Sequence, residues 1–235
     1  MVKRLLLIVV LWLPAMFACS TPTTPATVLY FVEHEPGADP NRTRMIVTAG
    51  FLRMDGGADD VNFLLFDRAD GTIYSVTGGE RQILVIPPRP MDAKPTATLK
   101  NEVMADNAVF PSVGTFKVSH FELRTNGKRC YELYAAAGLM PEVVAALRQY
   151  HTVLAGQQAK TLPFTPAEMQ SPCGLANNIF SPARHLEHGF PVRLVDMTGR
   201  TTELVDFNTE FRATAAMLRL PGDYQRLSID ALRSR

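Results

Sequence analysis

Neither sign of charge dominates this chain. Its 24 Lys and Arg stand against 23 Asp and Glu, for a formal net charge of +1. A protein that grips nucleic acid by its phosphates usually carries a strong basic excess, so no nucleic-acid partner is expected. The sequence has no Gly-x-Ser-x-Gly elbow, no phosphate-cradling glycine loop and no His-Glu-x-x-His pair. It therefore reads as a protein that is not an enzyme and needs no cofactor. Cysteine is scarce, with only Cys19, Cys130 and Cys173.

What the chain does have is strand patterning. From Arg44 to Ile86 it reads as consecutive β-strands, Arg44–Met54, Val61–Arg68, Thr72–Thr77 and Arg81–Ile86. The gaps hold Gly56-Gly57 with Asp59-Asp60, then Asp70-Gly71, then Gly78-Gly79. Gly and Asp accept the positive φ of tight hairpins, so neighbouring strands are expected to pair antiparallel. Phe63-Leu64-Leu65-Phe66 and Ile83-Leu84-Val85-Ile86 place large apolar side chains on both faces of the pleat. Such a sheet has to be covered on both sides or line an apolar hollow.

The N-terminus has a short positive head, Met1-Val2-Lys3-Arg4, and an apolar run from Leu5 to Phe17. That run falls short of the ~20 residues of a transmembrane helix and reads as a signal peptide over 1–18. Ala18 followed by Cys19 resembles the lipobox of bacterial lipoproteins, although Met16 and Phe17 stand where that pattern prefers Leu and a small residue. The resemblance implies lipidation of Cys19, which becomes the first residue of the mature chain. With Ser20 next, it also implies the outer membrane of the cell envelope, facing the periplasm. Several acyl chains anchor stably, at ~0.8 kcal/mol per buried methylene. Residues 19–27, rich in Ser, Thr and Pro, read as a solvated tether.

A single domain over 28–229 is expected beyond the tether, with a polar tail at 230–235. Val28–Glu33 reads as a strand. Met91 to Val113 is weakly patterned and reads as a crossing of the sheet edge. Thr115–Arg124 and Lys128–Ala135 flank Asn126-Gly127, the strongest hairpin signal in the chain. Leu139, Val143, Val144, Leu147, His151 and Leu154 form the apolar stripe of a helix that opens at Pro141 and stops at Gly156. Gln157 to His188 follows as a long loop with four prolines, and contains Cys173. Loops of this length are usually functional or covalently pinned. In an oxidising compartment a Cys130–Cys173 disulfide would pin it. Val192–Met197, Thr201–Thr209 and Arg212–Leu220 complete the strands. The expected fold is mainly β (α+β), an antiparallel curled sheet or half-open barrel covered by one main helix and a long loop.

Gly189-Phe190-Pro191-Val192 and Leu220-Pro221-Gly222-Asp223-Tyr224 resemble the end of an uncharacterised family of bacterial envelope lipoproteins, in which the last turn runs Pro-x-Gly-Tyr. Phe51-Leu52-Arg53-Met54-Asp55, Phe66-Asp67-Arg68 and Ile73-Tyr74-Ser75-Val76 fit the same family. The resemblance implies the half-open barrel of the periplasmic lipoprotein carriers, the LolA/LolB type, and supplies no catalytic residues.

His34, His120, His151, His185 and His188 are the candidate ligands or bases. His185 and His188 could share a helical turn, but nearby prolines and the lack of a third ligand favour ordinary surface histidines. His151 reads as a core residue on the helix face. The run from Asp55 to Asp60 lacks the ligand spacing and closing Glu of a calcium loop. Arg53 and Arg68 read as rim positions with snorkelling stems, or as contacts for an anion or lipid headgroup. The expected function is a membrane-anchored, non-enzymatic module that binds an apolar ligand or lipid moiety. The alternative is a structural adapter lipoprotein that recruits an envelope protein.

Overall fold

The computed structural model describes residues 22–57, 61–95 and 98–233. Cys19, the signal peptide and Asp59-Asp60 lie outside the described residues. Among those residues no helix is long and apolar enough to cross a membrane.

Twelve strands form one open, curled sheet that does not close into a barrel. β1 (Thr23–His34), β2 (Asn41–Val47), β3 (Phe51–Asp55), β4 (Phe63–Asp67), β5 (Thr72–Thr77) and β6 (Gln82–Ile86) follow one another as an antiparallel meander. The chain then crosses to the opposite edge and builds β7 (Asn101–Ala105), β8 (Val118–Thr125) and β9 (Lys128–Ala136). After a helical excursion, β10 (Phe190–Asp196) pairs with β9, and β11 (Thr201–Thr214) joins β10 to β1. β12 (Gln225–Ser228) closes the far edge, parallel to β6.

The hairpin at Asn126-Gly127 forms as its sequence requires. Both residues have positive φ, 51° and 76°, which matches the twist of the flanking strands. Other expectations shift for physical reasons. Arg44–Met54 is two strands, because Thr48 turns the chain: its hydroxyl accepts the Phe51 amide at 2.9 Å. Thr23–Thr27 belongs to β1 rather than to a solvated tether, because β11 runs on to Thr214 and pairs with it from Thr23 onward. The stretch expected as Arg212–Leu220 ends as a strand at Thr214 and turns through a 3-10 helix over Ala215–Leu218. β7 and β12 were not legible, since both are short, exposed edge strands without clean alternation.

α1 (Pro141–Thr161) fills the hollow of the sheet. It runs on past Gly156, which serves close approach and does not end the helix. A Cβ there would collide with the Arg89 carbonyl oxygen of the crossing segment. The segment expected as a loop is helical in short pieces, including α2 (Pro172–Leu175) and a π-helical turn over Ala176–Phe180. α3 (Ile229–Arg233) ends the described chain. Its Asp230 pairs with Arg89 and, at 2.7 Å, with Lys160, so the tail begins docked on α1.

The sheet is covered on both faces. Inside, Leu29, Leu52, Phe66 and Ile73 pack with Val143, Ala146, Leu147 and Val153 of α1. Outside, Val28, Ile46 and Ala213 pack beneath Met217 and Leu218. Full burial of each large aliphatic or aromatic side chain contributes about 1.5–3 kcal/mol. Cys130 of β9 and Cys173 of α2 form a disulfide, with Cα atoms 5.2 Å apart.

Candidate functional site

Packing between α1 and the sheet is incomplete at one end. A cavity of about 440 Å³ opens there, within the size range of small-molecule sites. Its apolar wall comes from the inner face of the sheet (Phe31, Met45, Met54, Phe190, Leu194) and from α1 (Leu147, Leu154). The strand period of two and the helical period of three to four bring these residues to one hollow. Glu33, Thr43, Arg200 and Thr202 also border it. Arg200 pairs with Glu33, whose other carboxylate oxygen accepts the Thr43 hydroxyl at 3.1 Å.

Tyr150, His151 and His185 border the same cavity. Tyr150 meets Phe66 edge-on with centroids 5.8 Å apart, and burial pushes its phenol up to about 12. His151 meets His185 at 5.0 Å. Burial holds His151 down to about 4. It holds His185 down to about 3, helped by the neighbouring His151, Arg184 and Arg148. Both imidazoles are neutral at neutral pH, so neither brings a charge to the cavity. The Nδ1 of His185 is buried with no hydrogen-bond partner among the described residues.

His185 reaches this position through the disulfide-tethered segment. Arg184, next to it, is buried. Its guanidinium donates to Asn177 Oδ1 at 2.5 and 2.9 Å, to Asn101 Oδ1 at 3.0 Å and to the Arg124 carbonyl at 3.1 Å. These bonds and the Cys130–Cys173 bond hold the segment from both ends of α2 and the π-helical turn.

His151 is a core residue, as its place on the helix stripe implied. His185 is not a surface histidine: it is 5% exposed and packs against Tyr131 and His151. His188 stacks on Phe121 with centroids 4.3 Å apart, so the two histidines face different partners. No group of three or more potential metal ligands converges among the described residues. His34 is exposed at the end of β1. His120 lies elsewhere on the sheet. Its Nδ1 is 2.5 Å from Asp106 Oδ2, and its Nε2 is 3.6 Å from Glu132, which accepts the Tyr134 hydroxyl at 3.0 Å. This contact ties the segment after β7 to β8 and β9.

Arg53 is no rim residue. It is 7% exposed, and its Nε donates to Asp55 at 2.5 Å while Arg44 binds the same carboxylate through two bonds of 2.8 and 2.9 Å. Arg53 also stacks on Phe63 at 3.8 Å and donates to the Met217 carbonyl at 3.0 Å, clamping the outer cover to the sheet. Arg68 donates to Gln149 of α1 and to the Thr48 carbonyl, both at 2.8 Å. Both arginines are committed to structural contacts. The cavity residues themselves were not legible as a site, because aromatic, Met and Leu side chains read as ordinary core until the gap between them is seen.

No family model matches the chain, and no curated protein matches it. Two solved structures of PNGF-II are similar in shape. The one in space group P21 has a TM-score of 0.44 and 8% identity, and the match covers 90% of this chain and 33% of that one. The one in space group C2 has a TM-score of 0.41 and 9% identity, covering 88% and 31%. The chain thus spans about a third of those structures' length.

Proposed function

We propose that this protein is a non-enzymatic binding module that holds an apolar ligand, such as an acyl chain or other lipid moiety, between α1 and the curled sheet. The observation that carries this reading is the cavity of about 440 Å³, with a wall of Phe, Met and Leu side chains. The apolar wall of that opening faces solvent, and an apolar ligand seated there would remove it from water and gain packing contacts with it. An open sheet curled around a helix is also the architecture implied by the resemblance to LolA/LolB-type carriers. The reading includes lipidation at Cys19 and attachment to the bacterial outer membrane on its periplasmic side.

Native mass spectrometry of the full-length chain purified from its own cells should show a co-purifying apolar molecule. Leu147→Trp, which fills the cavity from α1, should abolish that extra mass while the fold is retained by circular dichroism. A wild-type chain that always arrives empty, together with a single stoichiometric protein in pull-downs, would favour the adapter role instead. Radiolabelled palmitate should attach to the wild-type chain and not to Cys19→Ser.

A further inference from the structure

The border of the cavity and its depth differ in charge. Arg200, at the turn between β10 and β11, pairs with Glu33 of β1 and lies 3.5 Å from Glu35. Asp196 adds a third carboxylate acting on the same guanidinium, and these contacts together hold Arg200 above its ordinary value. Three carboxylates thus surround one cation. Glu33 is the more enclosed of the two glutamates, its side chain 21% exposed against 60% for Glu35. Arg44 also borders the cavity; with Arg53 it shares the single carboxylate of Asp55, so that buried group keeps one positive charge against the two net negative charges of the cluster around Arg200.

The depth holds the neutral pair His151 and His185 and apolar side chains. A charged group pushed there would lose its hydration and meet only the neutral polar groups of Tyr150, His151 and His185, with no opposite charge among them, so a ligand's charged end is better placed at the border. A carboxylate at the border must either detach Arg200 from its partners or add a fourth negative charge. An ammonium supplies the cation that the cluster is short of and finds Glu33 already oriented by Thr43.

From this charge arrangement we propose that the cavity selects an apolar ligand ending in a positively charged amine and discriminates against fatty-acid anions. The inference rests on the cavity being a ligand site. The ammonium sits against Glu33 at the border, and the apolar chain runs inward between Phe31, Met45 and Leu147.

The test is displacement of the neutral fluorophore N-phenyl-1-naphthylamine from the full-length chain by dodecylamine, dodecanol or dodecanoate, each below its micelle-forming concentration at neutral pH. Dodecylamine should displace the probe at about tenfold lower concentration than dodecanoate, with dodecanol between them. Glu33→Gln should shrink that ratio strongly and Glu35→Gln less, and added salt should shrink it in the wild type. Equal potency of amine and acid, or a preference for the acid, overturns the selectivity while leaving the cavity a ligand site. A ratio indifferent to salt and to Glu35→Gln also overturns it, even should Glu33→Gln fail to fold. Failure of the wild-type chain to bind the probe at all counts instead against the ligand-site reading.

Discussion

The imidazoles of His151 and His185 meet edge to face, with centroids 5.0 Å apart and ring planes at 89°. One comes from the middle of α1, the other from the tethered segment that follows it. The contact joins the helix in the hollow to the covalently pinned part of its cover. Burial favours the neutral form of both rings, and two imidazolium ions at this separation would repel each other.

That pair makes stability depend on pH. Both folded-state values, about 4 and about 3, lie below the ordinary histidine value near 6.5. The unfolded chain therefore binds more protons in the window between, and stability falls as pH drops through it. Arg148 and Arg184, which face His185, act in the same direction. At about pH 5 each histidine should cost about 2 kcal/mol relative to neutral pH. Urea titrations across this range should show the loss, and His151→Phe should flatten the slope. A slope untouched by His151→Phe would refute the assignment.

Breaking the Cys130–Cys173 bond should destabilise the fold. The bond closes a loop with a sequence separation of 43. The chain-entropy model assigns such a loop about 4 kcal/mol. Denaturant melts with and without reductant, or of the Cys130→Ser, Cys173→Ser double variant, measure it. Limited proteolysis of the reduced protein should cut first within 157–188.

Gly156→Ala offers a contest of two effects. Helix propensity alone predicts a gain of about 1 kcal/mol. The new methyl group would meet the Arg89 carbonyl oxygen, which lies on backbone and cannot swing aside. Overpacking of this kind costs about 1–3 kcal/mol, so a net loss of stability is expected. A rise in melting temperature would mean that the crossing segment yields.

Asp55→Asn should be among the most damaging conservative changes. The carboxylate of Asp55 is fully buried and faces the guanidiniums of both Arg44 and Arg53. Removing its charge keeps the shape and leaves the two cations facing each other, at about 3–5 kcal/mol. Chemical denaturation should show this, with the outer cover at Met217 and Leu218 loosening first in hydrogen exchange.

Several features were legible in the residues alone. The turn chemistry at Asp70-Gly71 and Asn126-Gly127 set the hairpins that follow from it. The two-sided apolar runs announced a sheet covered on both faces, and α1 inside with Ala215–Leu218 outside supply those covers. The stripe from Leu139 to Leu154 marked the helix. These are local signals, set by backbone φ and by side-chain period, and they act between residues close in sequence.

What the chain could not announce depends on partners far apart along it. β1 pairs with β11 so that Leu29 sits beside Phe207, and this joins the beginning of the domain to its end. The same closure draws Thr23–Thr27 out of the expected tether. Asp55 lies two residues from Arg53 on one face of β3, but its second partner, Arg44, reaches it only through the pairing of β2 with β3. The cavity exists only as the space left where α1, β1, β2 and β10 fail to meet. Local periodicity determined which faces are apolar; only the curl of the assembled sheet decided which of those faces would touch and which would be left apart.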